Sequence, residues 1–173
     1  MSETYRAEFA YVEREDGLAL EGAVMCPADG DGKGVAVLWL HGNTSRFYDL
    51  AYIRLGQEMA ALGYTFISCN THGHDVAAPV WGPDGEATPG GAGWERFHEM
   101  PLDLAAWIEY AQEIRFERVV LAGHSYGAAK VVYYQAQKDD PRVVGVVLGS
   151  PDLKYRAKPE QVVMAERMET RGE

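Results

Sequence analysis

Five residues, Gly123-His124-Ser125-Tyr126-Gly127, follow the apolar run Val119 to Ala122 and lead into a helix-like stretch. A serine flanked by glycines at such a junction suits a cramped strand-to-helix turn, because the glycines let strand and helix pack closely. The hydroxyl is then lifted clear of the sheet. The first backbone N–H groups of the helix, with its positive dipole end, face the same point and favour a developing oxyanion. The chemistry implied is attack on an acyl carbonyl. A glycine-rich packing or phosphate turn is the competing reading, and the strand before, the helix after and His41-Gly42 upstream argue against it.

Other groups that could do chemistry are weaker. His72-Gly73-His74-Asp75 invites a zinc reading, yet Asp75 follows His74 directly and Val76 comes next, which does not fit the metal pattern His-x-His-x-Asp-His. Gly90-Gly91-Ala92-Gly93 has no Lys-Ser/Thr after it to hold a phosphate. The sequence thus predicts no metal and no cofactor. Lys130 reads as a helix-surface residue without chemistry. Trp81 and Trp94 flank a proline- and glycine-rich stretch where they are candidates to line a cavity for an apolar acyl group, while Trp107 reads as core. Cys26 and Cys69 each lie beside an apolar run and read as small packed thiols.

The elements that must position these residues alternate. Ala7 to Arg14 and Leu18 to Cys26 form a hairpin about Glu15-Asp16-Gly17. Buried strands follow at Val35 to Leu40, Tyr64 to Cys69, Glu117 to Ala122 and Arg142 to Leu148. Helices are predicted over Tyr48 to Leu62, with Leu50, Ile53, Leu55, Met59 and Leu62 as the apolar set, over Phe97 to Ile114, and over Tyr126 to Lys138. Val76 to Trp94 reads as a long aperiodic loop of the kind that carries function. This order predicts an α/β fold, an open, mostly parallel sheet with an N-terminal antiparallel hairpin and helices on both faces, formed by one domain over 1–173. Ligands of such sheets bind at the carboxyl ends of the strands, here occupied by His41-Gly42-Asn43, Asn70 to Asp75 and Gly123 to Gly127.

Leu38-Trp39-Leu40-His41-Gly42-Asn43, Asn70-Thr71-His72-Gly73-His74 and Val120 to Ala128 together resemble the α/β-hydrolase superfamily, in its serine-nucleophile branch of esterases, lipases and thioesterases. The resemblance implies Ser125 as nucleophile and the N–H of Tyr126 as one oxyanion donor, with Asn43 giving the second and Thr44 as fallback. His41, Gly42 and His124 would line the substrate site. His-Gly-Asn is also similar to haloalkane dehalogenases, which use an aspartate nucleophile; a serine would form an ether there, so acyl transfer fits better.

In that family the serine's base is a histidine on a loop after the last strand. The sequence after Leu148 has no counterpart to it, so the chain reads as the N-terminal part of a longer hydrolase, with Lys158 to Arg171 starting a cap or crossover helix. His72, His74 and His98 fit loop or surface roles better than that of base. Asp152, just past a strand, is the best candidate for the acid, against a turn or capping role after Pro151. The function expected is hydrolysis of a small carboxylic ester, thioester or lactone through an acyl-enzyme on Ser125. A non-catalytic ligand-binding or interaction module on the same scaffold is the alternative.

Composition bounds the partners. In 173 residues, 16 Lys+Arg against 26 Asp+Glu give a net charge of -10, which disfavours nucleic acid and anionic lipid. No apolar run approaches a membrane span and no signal peptide is visible at Met1, so a cytoplasmic address is expected. A small acyl substrate is the expected partner, with self-association possible through a sheet edge at Arg142 to Leu148.

Overall fold

The computed structural model describes residues 5–30 and 32–151. Asp152 and the predicted helix at Lys158 to Arg171 lie outside the described residues. The chain runs β1 (Tyr5–Glu13), β2 (Ala19–Pro27), β3 (Ala36–Leu40), α1 (Leu50–Ala61), β4 (Thr65–Cys69), β5 (Ala78–Trp81), β6 (Ala87–Gly90), a 3-10 turn (Phe97–Glu99), α2 (Met100–Glu113), β7 (Val119–His124), α3 (Tyr126–Lys138) and β8 (Val143–Gly149). All eight strands join one sheet in the order β6-β5-β2-β4-β3-β7-β8, with β1 paired to β2.

The α/β class is therefore as the order of elements implies. Strands β4, β3, β7 and β8 are parallel, and β1, β2, β5 and β6 add antiparallel pairs, so the sheet as a whole is mixed. Period-two alternation sends Leu38, Leu40, Ile67, Val119 and Leu121 to a core that holds α2 and α3. Val37, Trp39, Phe66, Val120 and Ala122 go to a second core beneath α1. The connection β3-α1-β4 steps one way along the sheet and β7-α3-β8 the other, which puts the two helices on opposite faces when both crossovers are right-handed. Between β3 and β7 the winding reverses, leaving a crevice at their carboxyl ends.

Three expectations are corrected. The stretch Val76 to Trp94 is not an aperiodic loop: it contains the hairpin β5-β6, in which Pro79 pairs with Pro89. Proline argues against a strand only in a sheet interior, and this hairpin sits at the sheet's edge. In α1 the fully buried residues are Tyr52, Gly56 and Ala60; of the predicted apolar set Ile53, Leu55 and Met59 pack half-buried against the second core, while Leu50 and Leu62 are exposed. Gly56 lies against Met25 and Phe66, where any side chain would collide, so small residues set how closely this helix approaches. Finally, β8 is not buried. Among the described residues it has one neighbour, β7, and exposes Val144, Val146 and Val147.

Candidate active site

Ser125 stands directly after β7 with φ 53° and ψ -116°, outside the usual basins of an L-residue. Holding a side chain there costs on the order of 1–3 kcal/mol, and the surroundings enforce it. Its N–H donates to the Gly149 carbonyl at 2.8 Å, and its own carbonyl receives the Ala128 N–H at 3.1 Å. A Cβ on Gly123 would strike the backbone of Gly127, and one on Gly127 would strike the carbonyls of Leu40 and His41. Both glycines are thus required by close approach. Ser125 itself is partly exposed, at the crevice where the winding reverses.

Gly42 follows β3 across from the serine. A Cβ built there would lie 3.5 Å from the Ser125 Cβ, so the chain after β3 runs against the serine turn. Asn43 is exposed, and Thr44 adopts φ 58°. His41 is fully buried: Nδ1 sits 2.8 Å from the Gly42 carbonyl, and Nε2 accepts the Thr71 N–H at 3.2 Å. Since a carbonyl only accepts, the proton resides on Nδ1. Burial first, then the charge of Lys130, lowers the His41 pKa to about 3 and keeps the ring neutral. His124, beside Ser125, lies 3.5 Å from the Tyr52 hydroxyl through Nδ1.

His41, Gly42, Asn43, His124, Ser125 and Tyr126 are therefore brought together. Trp81 is not beside them: β5 and β7 are separated by β2, β4 and β3, about 19 Å across the sheet at the usual strand spacing. Trp94 is nearer, because Glu95 next to it reaches α3. It is half-exposed and lines a shallow apolar groove of about 430 Å³ with Ala77, Pro79, Thr88 and Pro89.

The remaining histidines have structural partners. His72 Nδ1 lies 2.7 Å from Asp103, which also takes Arg14 at 2.9 Å, and His72 Nε2 accepts the Arg96 N–H at 3.2 Å. His74 Nδ1 pairs with Asp75 at 3.0 Å. His98 is exposed on the 3-10 turn. Among the described residues no group of three or more His, Cys, Asp or Glu is placed to hold a metal ion.

The surface reading of Lys130 is corrected. It is 1% exposed, ion-pairs with the buried carboxylate of Glu95, and donates to Thr71 Oγ1 at 2.8 Å. Glu95 in turn packs onto Gly73, where any side chain would displace it. Two of these buried charges carried a sequence signal. Residues 127, 130, 131 and 134 form one helical stripe, as do 100, 103, 104 and 107, so Lys130 and Asp103 each interrupt an apolar face. Their partners Glu95 and Arg14 carry none.

A sheet that reverses its winding beside a strained serine turn, with helices on both faces, defines an α/β hydrolase. The chain belongs to the serine aminopeptidase S33 family, Hydrolase_4, whose model matches residues 33–171. Among solved structures the fold is similar to that of the α/β hydrolase GrgF from Penicillium sp. sh18, at 17% identity and TM-score 0.73, covering 96% of this chain and 54% of that one. It is also similar to a PEG-bound cold-adapted esterase from an Arctic intertidal metagenomic library, at 18% identity and TM-score 0.63, covering 86% and 62%. An esterase of Pyrococcus furiosus gives 20% identity and TM-score 0.64, covering 85% and 53%. At these identities the likeness is one of fold. The chain spans between half and two thirds of the length of these structures. No curated protein matches the sequence. No helix among the described residues is long and apolar enough to cross a membrane.

Proposed function

We propose that the protein is a serine hydrolase for a small carboxylic ester, thioester or lactone. The observation that carries this reading is the φ of 53° at the partly exposed Ser125, imposed by its neighbours at the crevice between β3 and β7. Strain of this kind persists where the surroundings over-determine it, and here it presents a hydroxyl. The Ser125 oxygen attacks the acyl carbonyl while its proton passes to a base that we place outside the described residues. The carbonyl oxygen, now negative, is received by the backbone N–H groups of Tyr126 and Asn43. Return of the proton to the leaving group frees the alcohol or thiol, and water attacks the acyl-enzyme by the same steps in reverse, regenerating the serine.

Within this reading Trp94 contacts the acyl chain from the apolar groove, and Asp152 is the acid that orients the base. The test is turnover by the full-length protein of p-nitrophenyl acetate, p-nitrophenyl butyrate and an aminoacyl p-nitroanilide. Ester hydrolysis lost in Ser125→Ala by at least ~10³-fold is expected, from the known scale of nucleophile removal. Activity on the anilide alone would point to aminopeptidase chemistry. Ester binding without turnover would favour a ligand-binding module on the same scaffold.

A further inference from the structure

The inward face of α3 carries a lysine that hydrolysis, as described, does not use. Lys130 Nζ faces Glu95 Oε1 as an ion pair without a well-aligned hydrogen bond, donates to Thr71 Oγ1 at 2.8 Å and lies 5.2 Å from the Tyr126 ring. The Thr71 oxygen is also 3.3 Å from His41 Nε2. His41 holds its proton on Nδ1, against the Gly42 carbonyl, so Nε2 accepts. The Thr71 hydroxyl therefore receives from Lys130 and shares His41 Nε2 with the Thr71 N–H, which stands 3.2 Å from the same nitrogen, as a second donor. All hydrogens in the series point one way, from ammonium to hydroxyl to imidazole to carbonyl.

That last carbonyl matters. Gly42 C=O and Asn43 N–H are two ends of one planar peptide unit, so fixing one direction fixes the other. The Ser45 N–H adds a second bond to the same carbonyl at 3.2 Å. Hydrogen bonds in series polarise each other, and a buried positive charge at the head of the series draws electron density away from the amide at its tail. An N–H so polarised is a stronger donor to an anion.

We propose that Lys130, seated by Glu95 and acting through Thr71 and His41, is a positioning residue that orients and polarises the Gly42–Asn43 peptide as an oxyanion donor. This rests on the hydrolytic reading of Ser125. Gly73 belongs to the same device, because its missing side chain is what admits the Glu95 carboxylate. The arrangement predicts an effect on the transition state and little effect on the bound ester, whose neutral carbonyl demands less of the donor.

The experiment compares Thr71→Val, Thr71→Ser and the double variant Lys130→Met/Glu95→Gln in the full-length protein. Steady-state hydrolysis of p-nitrophenyl butyrate is measured beside inhibition by n-butylboronic acid, a tetrahedral mimic. Thr71→Val and the double variant are expected to lose about 10-fold in kcat, less than the ~10²–10³ of a deleted donor, with KM changed less than ~2-fold. Boronate affinity falls in parallel, and Thr71→Ser, which keeps the hydroxyl, restores both. The threonine pair keeps the test valid even where the double variant fails to fold. A Thr71→Val protein with parental kcat and boronate affinity, a change in KM alone, or no rescue by serine overturns the proposal. Full activity in Ser125→Ala would instead overturn the reading of Ser125, and the relay with it.

Discussion

Strands β7 and β8 lie side by side, run parallel and draw on nearly the same residues, Val119-Val-Leu-Ala-Gly-His124 against Val143-Val-Gly-Val-Val-Leu-Gly149. One is the middle of the molecule and the other its rim. In β7, Val119 and Leu121 are buried in one core and Ala122 in the other, whereas in β8 Val144, Val146, Val147 and Leu148 are all exposed. Composition tells that a strand can be covered; only the partners on both sides decide whether it is. The glycines differ in the same sense. Gly123 is pressed against Gly127, while a Cβ on Gly145 would meet only the Val120 side chain, at 3.5 Å.

The largest effect expected from this contrast is in packing. Leu121→Ala should lower unfolding free energy by about 2–5 kcal/mol, and Val147→Ala by less than ~1, measured by urea denaturation. Similar losses at both positions would erase the distinction between middle and rim.

Acid sharpens the contrast next. At the middle, the unfolded chain protonates His41 near its ordinary value of 6.5, whereas the folded protein resists until about 3. The unfolded state therefore binds the extra proton in that interval, and stability falls as pH drops through it by up to about 1.4 kcal/mol per pH unit. At the foot of β8, hydrogen bonds chiefly from Arg142, and also from Tyr134, hold Asp140 at about 2, below its ordinary 3.8. That contribution is present above 3.8 and is lost only as pH falls from there toward 2. Replacing His41 by Gln should flatten the stability curve between pH 6.5 and 4.5, and Asp140→Asn should leave that interval unchanged. An identical slope in His41→Gln and the parent would contradict the burial of a neutral imidazole.

Glycine replacement gives the smallest stability difference of the three. Gly123→Ala is expected to cost about 1–3 kcal/mol by overpacking, and to abolish the proposed ester hydrolysis by shifting the serine turn. Gly145→Ala should stay within about 0.5 kcal/mol and keep activity. Thermal melts and initial rates read both.

Much of the fold was legible because period-two and period-3.6 patterns depend on neighbours in sequence: α3 is found at the residues expected, and β1 to β4 within two residues at each end. The hairpin β5-β6 was hidden by Pro79, Pro89 and its glycines, whose local preference is overridden by edge pairing. The inward face of α1 was legible in Ile53, Leu55 and Met59 but not in Gly56 and Ala60, which bury by being small enough to fit against the second core. At the candidate site, the strained turn at Ser125 was legible since it follows from the local Gly-x-Ser-x-Gly sequence. Lys130 and Asp103 are marked by interrupting apolar helical stripes, but their partners Glu95 and Arg14 meet them across long separations in the chain, and no local preference marks those.

The nucleophilic role proposed for Ser125 is tested most directly by reacting the full-length protein with a fluorophosphonate and locating the adduct by peptide mass spectrometry. One adduct on the Ser125 oxygen, absent in Ser125→Ala, is the predicted result. An unmodified Ser125, or equal labelling of the alanine variant at another residue, would contradict it.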